Sequence, residues 1–153
     1  MRLYFARHGE AGRAALDEQR NLTDLGRTES ARVFQRCAEN IDSPLAAIVC
    51  SPLVRARQSA EIALDCLPVN SKECLISTAL RPEASISGLA AMLESENRWP
   101  LLLVGHQPLL GNFLNWLCDE DHLGYGVGTS ALFAVDVIAL VRGGGTLIAN
   151  IQP

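Results

Sequence analysis

Short, wholly apolar runs alternate along this chain with longer segments in which apolar residues return every three or four positions, and that alternation leaves few folds open. Residues 3–6, 46–50 and 101–104 are runs of four or five apolar residues, the length of strands covered on both faces. A fourth, weaker run lies at 74–78. Between them come helical stripes. From Thr23, an N-cap residue type, the stripe runs through Val33, Cys37 and Ile41, with Phe34 and Ala38 beside them. Ser51-Pro52 reads as an N-cap followed by proline at the first helical position. Leu53, Ala56, Ala60, Ala63, Leu64 and Leu67 then make the clearest stripe in the chain. After Pro82, Ile86, Leu89, Ala90 and Leu93 form another, and Pro108 opens a last helix carrying Leu110, Phe113, Leu114 and Leu117.

Strand followed by helix, repeated, implies right-handed crossovers, a mostly parallel sheet and helices on both faces. The pattern changes at the end, where residues 131–141 and 146–151 read as two strands joined through Gly143-Gly144-Gly145, an antiparallel hairpin. The predicted fold is therefore an α/β, three-layer α/β/α sandwich with a central sheet of about six strands and a C-terminal antiparallel hairpin. With 153 residues, 48% of them hydrophobic, the chain fits one domain over residues 1–153.

Charge and composition narrow the function. A formal net charge of -4 argues against general affinity for nucleic acid or anionic membrane. The longest apolar runs are too short to cross a bilayer and no signal-peptide stretch opens the sequence, so the expected location is cytoplasmic. Five cysteines without CxxC spacing read as buried free thiols. No two of the three histidines stand at the short helical spacing of zinc motifs, so no metal and no cofactor are expected.

In an open parallel sheet, functional groups gather where strands end and helices begin. Three such ends carry unusual residues: Arg7-His8-Gly9-Glu10, Ser51-Pro52 with Arg55, and Gly105-His106-Gln107-Pro108. Each alone has an ordinary explanation, such as a paired arginine, a solvated first-turn charge or a capping histidine. Together they bring two arginines and two histidines to one sheet edge with no carboxylate cluster to neutralise them, and such a constellation requires an anion. Guanidinium groups match phosphoryl oxygens in geometry and stay charged. Helical side chains tilt toward the N-terminus, so Arg55 can reach back over the strand end toward Arg7. Two histidines near neutrality suggest chemistry beyond binding: one imidazole attacks phosphorus while the other stabilises charge. Gly9 would let backbone approach the phosphoryl group closely.

The ordered set Arg7-His8-Gly9-Glu10, Ser51-Pro52 with Arg55, and Gly105-His106 resembles the histidine phosphatase, or phosphoglycerate mutase-like, superfamily over nearly the whole chain. Arg20, Leu22-Thr23, Gly26 and the run Arg55-Ala56-Arg57-Gln58-Ser59-Ala60, similar to the family's R-A-x-Q-T/S-A, add to it. The resemblance implies that His8 is the nucleophile that becomes phosphorylated, that Arg7, Arg55 and His106 hold phosphoryl oxygens, and that the amide of Gln107 donates to one of them. The short chain is most similar to the SixA-type branch, since larger relatives carry insertions that cover a small substrate. That implies a phosphohistidine phosphatase acting on a phosphorylated protein, such as a histidine phosphotransfer domain or phosphocarrier protein, and working as a monomer.

Many phosphomonoester-cleaving relatives place an acid over the leaving oxygen, and no residue aligns securely with it here. Glu83 is the nearest candidate, its alternative reading being a first-turn acid of the following helix. Glu10 either orients Arg7 or His8 or faces solvent. Two rival functions remain open at this point: a phosphatase or mutase of small metabolites, and a phosphate-binding adaptor module without turnover.

Overall fold

The computed structural model describes residues 1–153. Strands β1 (Arg2–Arg7), β2 (Ala47–Cys50), β3 (Leu75–Ile76), β4 (Leu101–Gly105), β5 (Leu132–Val137) and β6 (Gly145–Ile151) form one sheet. Its order is β3-β2-β4-β1-β5-β6. The first four positions pair in parallel, and the hairpin β5-β6 joins antiparallel to β1, which is the α/β sandwich that the alternation predicts. Helices α1 (Asp24–Ala38), α2 (Val54–Cys66), α3 (Ile86–Glu94) and α4 (Leu109–Cys118) cover it.

Side chains of a strand alternate between faces, and β1 divides accordingly. Leu3 and Phe5 pack with α3 and α4 in one buried cluster, while Tyr4 and Ala6 pack with α1 and α2 in the other. The two clusters differ in bulk. The α4 side is filled by Leu109, Leu110, Phe113, Leu114 and Leu117, whereas α2 presents Ala56, Ala60 and Ala63 and therefore lies close to the sheet.

The register at the sheet's centre positions the site. Arg7 stands opposite Gly105 on β4, and Cys50 opposite Val104. The next backbone bonds continue the ladders: the His8 amide donates to Gly105 O at 3.1 Å and the Ser51 amide to Val104 O at 3.0 Å. All three strands thus end at one level, and the residues that follow them emerge side by side.

Four boundaries differ from the sequence expectation. Thr23 caps α1 as expected, accepting from the Gly26 amide, but the helix ends at Ala38 and Ile41 lies beyond it. The N-cap of α2 is Leu53, and Ser51 Oγ instead accepts from the Leu53 amide at 3.3 Å in a turn before the helix. Strand β3 keeps only two of the five residues in 74–78, because Ser77 turns away to accept from the Ala79 amide and start a 3-10 turn. Strand β5 stops at Val137: the amide of Ile138 donates to Gly144 O at 2.8 Å, so the chain begins its return well before the glycine triplet. All five cysteines are free, with Cys37 and Cys50 buried and Cys66, Cys74 and Cys118 half-buried.

Candidate active site

Arg7, His8, Arg55 and His106 line one cavity of about 310 Å³ at the C-terminal ends of β1, β2 and β4, together with Glu10, Asp17, Arg20 and Gln107. The two imidazoles face one another with ring centroids 4.9 Å apart. The sheet register explains this, since each histidine is the first residue beyond adjacent parallel strands.

His8 is 7% exposed and its ring is bonded on both sides. Nδ1 lies 2.7 Å from Gly9 O, and Arg55 Nε lies 3.2 Å from Nε2. A carbonyl oxygen can only accept and a guanidinium N–H can only donate, so both contacts require the same neutral tautomer, with the proton on Nδ1 and a lone pair on Nε2. Burial drives the same outcome. Desolvation first, then the charges of Arg55, Arg7 and Arg20, bring the His8 pKa down to about 4 against the raising effect of Gly9 O. For His106, desolvation leads again, followed by His8 and Arg55, and the pKa falls to about 3. Both rings are neutral at pH 7.

Arg55 occupies the second position of α2, is 5% exposed, and uses all three of its nitrogens. Beyond His8, Nη1 donates to Asp17 O at 2.8 Å and Nη2 to Asp17 Oδ2 at 3.0 Å. Arg7 behaves differently. Its Nη1 donates to Val127 O at 3.2 Å, while Nε is buried with no partner. Burial and then the Arg55 charge lower its pKa. Both ring nitrogens of the 1%-exposed His106 are likewise unpartnered. Three buried polar atoms without partners around one cavity are costly unless a ligand satisfies them.

The surrounding backbone is built tightly. Ser130 has φ 63° and is buried, an uncommon conformation for a residue with a side chain. Its amide donates to His8 O at 3.2 Å and its Oγ sits 3.1 Å from Ser30 Oγ, which draws the 127–130 segment over Arg7. Gly9 is needed for packing rather than for approach to a ligand: a Cβ there would stand 2.5 Å from Gly26 O and 2.7 Å from Ser30 Oγ. Gly26 in turn has no room for a Cβ against the Glu10 backbone.

The Gln107 side chain points away, bridging Gly124 O and the Gly111 amide at 2.7 and 2.9 Å, while its backbone N–H makes no bond within the chain and lies beside the cavity. Glu10 does not reach Arg7 or His8, since its Oε1 accepts from Thr23 Oγ1 at 2.8 Å. Glu83 precedes Ser85, the N-cap of α3, so it is not a first-turn acid; its exposed carboxylate sits 3.4 Å from Arg81 and outside the cavity lining. The expected absence of a neutralising carboxylate also needs correction. Asp17, in a 3-10 turn Asp17–Gln19, reaches Arg55 across 38 residues of sequence. Its only sequence signal is the i,i+3 spacing to Arg20, whose Nη1 lies 3.1 Å from Asp17 Oδ1.

This arrangement can hold a tetrahedral oxyanion between two guanidinium groups and a helix start, and present an imidazole lone pair to its centre. Residues 3–81 match the histidine phosphatase superfamily (branch 1). The chain belongs to that superfamily of phosphatases. It is 40% identical over 121 residues to an uncharacterised protein of Picosynechococcus sp., covering 74% of this chain and 70% of that one. It is 29% identical over 161 residues to phosphohistidine phosphatase SixA of Escherichia coli, covering 100% of this chain and 94% of that protein. The solved structure of the protein histidine phosphatase SixA complexed with tungstate superposes with a TM-score of 0.88 at 28% identity, over 100% of this chain and 97% of the other. No helix is long and apolar enough to cross a membrane.

Proposed function

We propose that this protein hydrolyses phosphohistidine on a phosphotransfer protein, with His8 as nucleophile. The observation that carries the reading is the His8 tautomer, which turns the Nε2 lone pair into a pocket walled by Arg7, Arg55 and His106. As a phosphoryl oxygen takes over the Arg55 Nε–H, the Nε2 lone pair is freed and attacks phosphorus, the P–N bond to the substrate imidazole breaks, and that ring leaves neutral after its other nitrogen takes a proton from solvent. Because Gly9 O keeps the Nδ1 proton in place, the phosphorylated His8 ring carries positive charge and is a good leaving group. Water then attacks phosphorus, the P–Nε2 bond breaks, and inorganic phosphate departs with neutral His8 restored. Arg7, Arg55, His106 and the Gln107 amide hold the phosphoryl oxygens as charge shifts among them.

An imidazole leaving group needs no positioned acid, and the placement of Glu83 outside the pocket favours it over an alkoxide. The relatives named SixA, and the binding of tungstate by one of them, support the same reading. In this reading residues 1–153 act as one cytoplasmic domain in a signalling relay. The deciding experiment offers a phosphorylated histidine phosphotransfer domain carrying labelled phosphate. An acid-labile, alkali-stable label trapped on His8 is expected; faster turnover of glycerate or sugar phosphates, or tight binding with no phosphoenzyme, overturns the proposal.

A further inference from the structure

We infer that Asp17 is a positioning residue that holds the Arg55 guanidinium beside His8 Nε2, where its Nε–H passes to a phosphoryl oxygen as that nitrogen attacks. The guanidinium is a rigid planar fork, so fixing its two outer nitrogens fixes the direction of its Nε–H. Asp17 holds both outer nitrogens, through its main-chain carbonyl at 2.8 Å and its carboxylate Oδ2 at 3.0 Å, and the remaining edge meets His8 Nε2 at 3.2 Å.

For this to aim anything, Asp17 itself must be fixed, and the loop that carries it is clamped. Arg20 donates to Asp17 Oδ1 at 3.1 Å, to Gly12 O at 2.7 Å and to Ala11 O at 3.1 Å. The Gly12 amide bonds Asn21 O at 2.9 Å, closing the loop's neck. Gln58, one turn beyond Arg55 on α2, accepts from the Leu22 amide and donates to Asn21 Oδ1, both at 2.8 Å. Loop and helix therefore meet at two points, Gln58 and Arg55. An exposed ion pair by itself contributes little, but here one partner is 6% exposed in its side chain and touches the attacking imidazole.

A competing account makes Asp17 a resident anion that occupies the substrate's place on Arg55. Donor counting favours aiming: a guanidinium has five N–H groups, Asp17 takes one from each outer nitrogen, and one on each remains for phosphoryl oxygens. Asp17 can stay bound while substrate binds. The two accounts differ in sign, which makes them separable. The inference rests on His8 being the nucleophile of a phosphatase.

The test uses full-length Asp17→Ala and Asp17→Asn with a phosphorylated phosphotransfer protein, inhibition by inorganic phosphate, and the NMR signal of the Arg55 Nε–H. For Asp17→Ala, kcat is expected to fall about tenfold with KM within about twofold, and the Arg55 Nε–H to exchange faster with water. Asp17→Asn keeps an acceptor oxygen and should recover most of the rate and the slow exchange. An unchanged or raised kcat in Asp17→Ala, tighter inhibition by phosphate, or an unaltered Arg55 signal would overturn the inference. Absence of turnover in the unmodified protein would instead reject the phosphatase reading, and the phosphate-binding and NMR measurements still decide the role of Asp17.

Discussion

The two histidines share one pocket under opposite conditions. His8 has both ring nitrogens bonded, through Gly9 O and Arg55, and Arg55 is itself held by Asp17 through one N–H of each outer nitrogen. On the other side, Arg7 Nε and both nitrogens of His106 are buried without partners. One half of the site is held in place before any ligand arrives, and the other half finds its partners only in the ligand. A nucleophile gains from being fixed in one tautomer and direction, while groups that hold an oxyanion gain from having unspent donors. The difference assigns preorganisation to attack and binding affinity to the unsatisfied wall.

The largest expected effect breaks the completed half. His8→Ala should lower turnover by at least about a thousandfold while leaving the fold and most phosphate binding intact, as measured by single-turnover kinetics and by phosphate titration. Equal activity would remove the nucleophile assignment. Next, Arg55→Lys and Arg7→Lys set the halves against each other. A lysine at either position loses the fork, but only at position 55 is His8 also released, so kcat/KM should fall about a hundredfold or more for Arg55→Lys and about tenfold for Arg7→Lys. Equal losses would deny the asymmetry.

A third substitution should split activity from stability. His106→Leu removes two unpartnered buried nitrogens, so the folded state should gain about 1 kcal/mol in denaturant unfolding even as turnover drops about a hundredfold. Loss of both would mean that the ring is satisfied in a way the geometry does not express. The smallest effect concerns pH. Both histidines have folded-state pKa values below the ordinary 6.5, at about 4 and about 3. The unfolded chain therefore binds more protons at mildly acid pH, and stability is full above about pH 6.5 and declines as pH falls toward those values. Unfolding midpoints measured from pH 7 to pH 4.5 should decline in the unmodified protein and decline less steeply in His106→Leu.

Much of this architecture was readable from residue order because the relevant signals are local. The runs at 3–6, 46–50 and 101–104 are buried strands since nothing but a covered sheet suits them, and the stripe from Leu53 to Leu67 matches the face that α2 turns inward. Convergence of Arg7, His8, Arg55 and His106 followed from parallel register, which places consecutive strand ends on one edge. Sequence pattern and structure part where short-range polar chemistry competes with periodicity. Ser77 ends β3 by capping a turn, and Ser51 spends its hydroxyl before α2 begins. Asp17 carries no comparable signal, because its partner Arg55 is distant in sequence and its loop has no repeating pattern. Glu83, the nearest candidate for a leaving-group acid, has its side chain at Arg81 and outside the cavity lining.

The pairing of Arg7 with Gly105 at the middle of the sheet has a consequence for how the protein loses function on heating. The imidazoles are attached directly to the two central strands, whose amides should exchange only when the whole molecule opens, whereas the 12–21 loop is held by polar contacts alone and should open at lower cost. Catalysis should therefore weaken in a first, reversible stage as the loop frays, well below the temperature at which the rings separate and the remaining oxyanion affinity disappears.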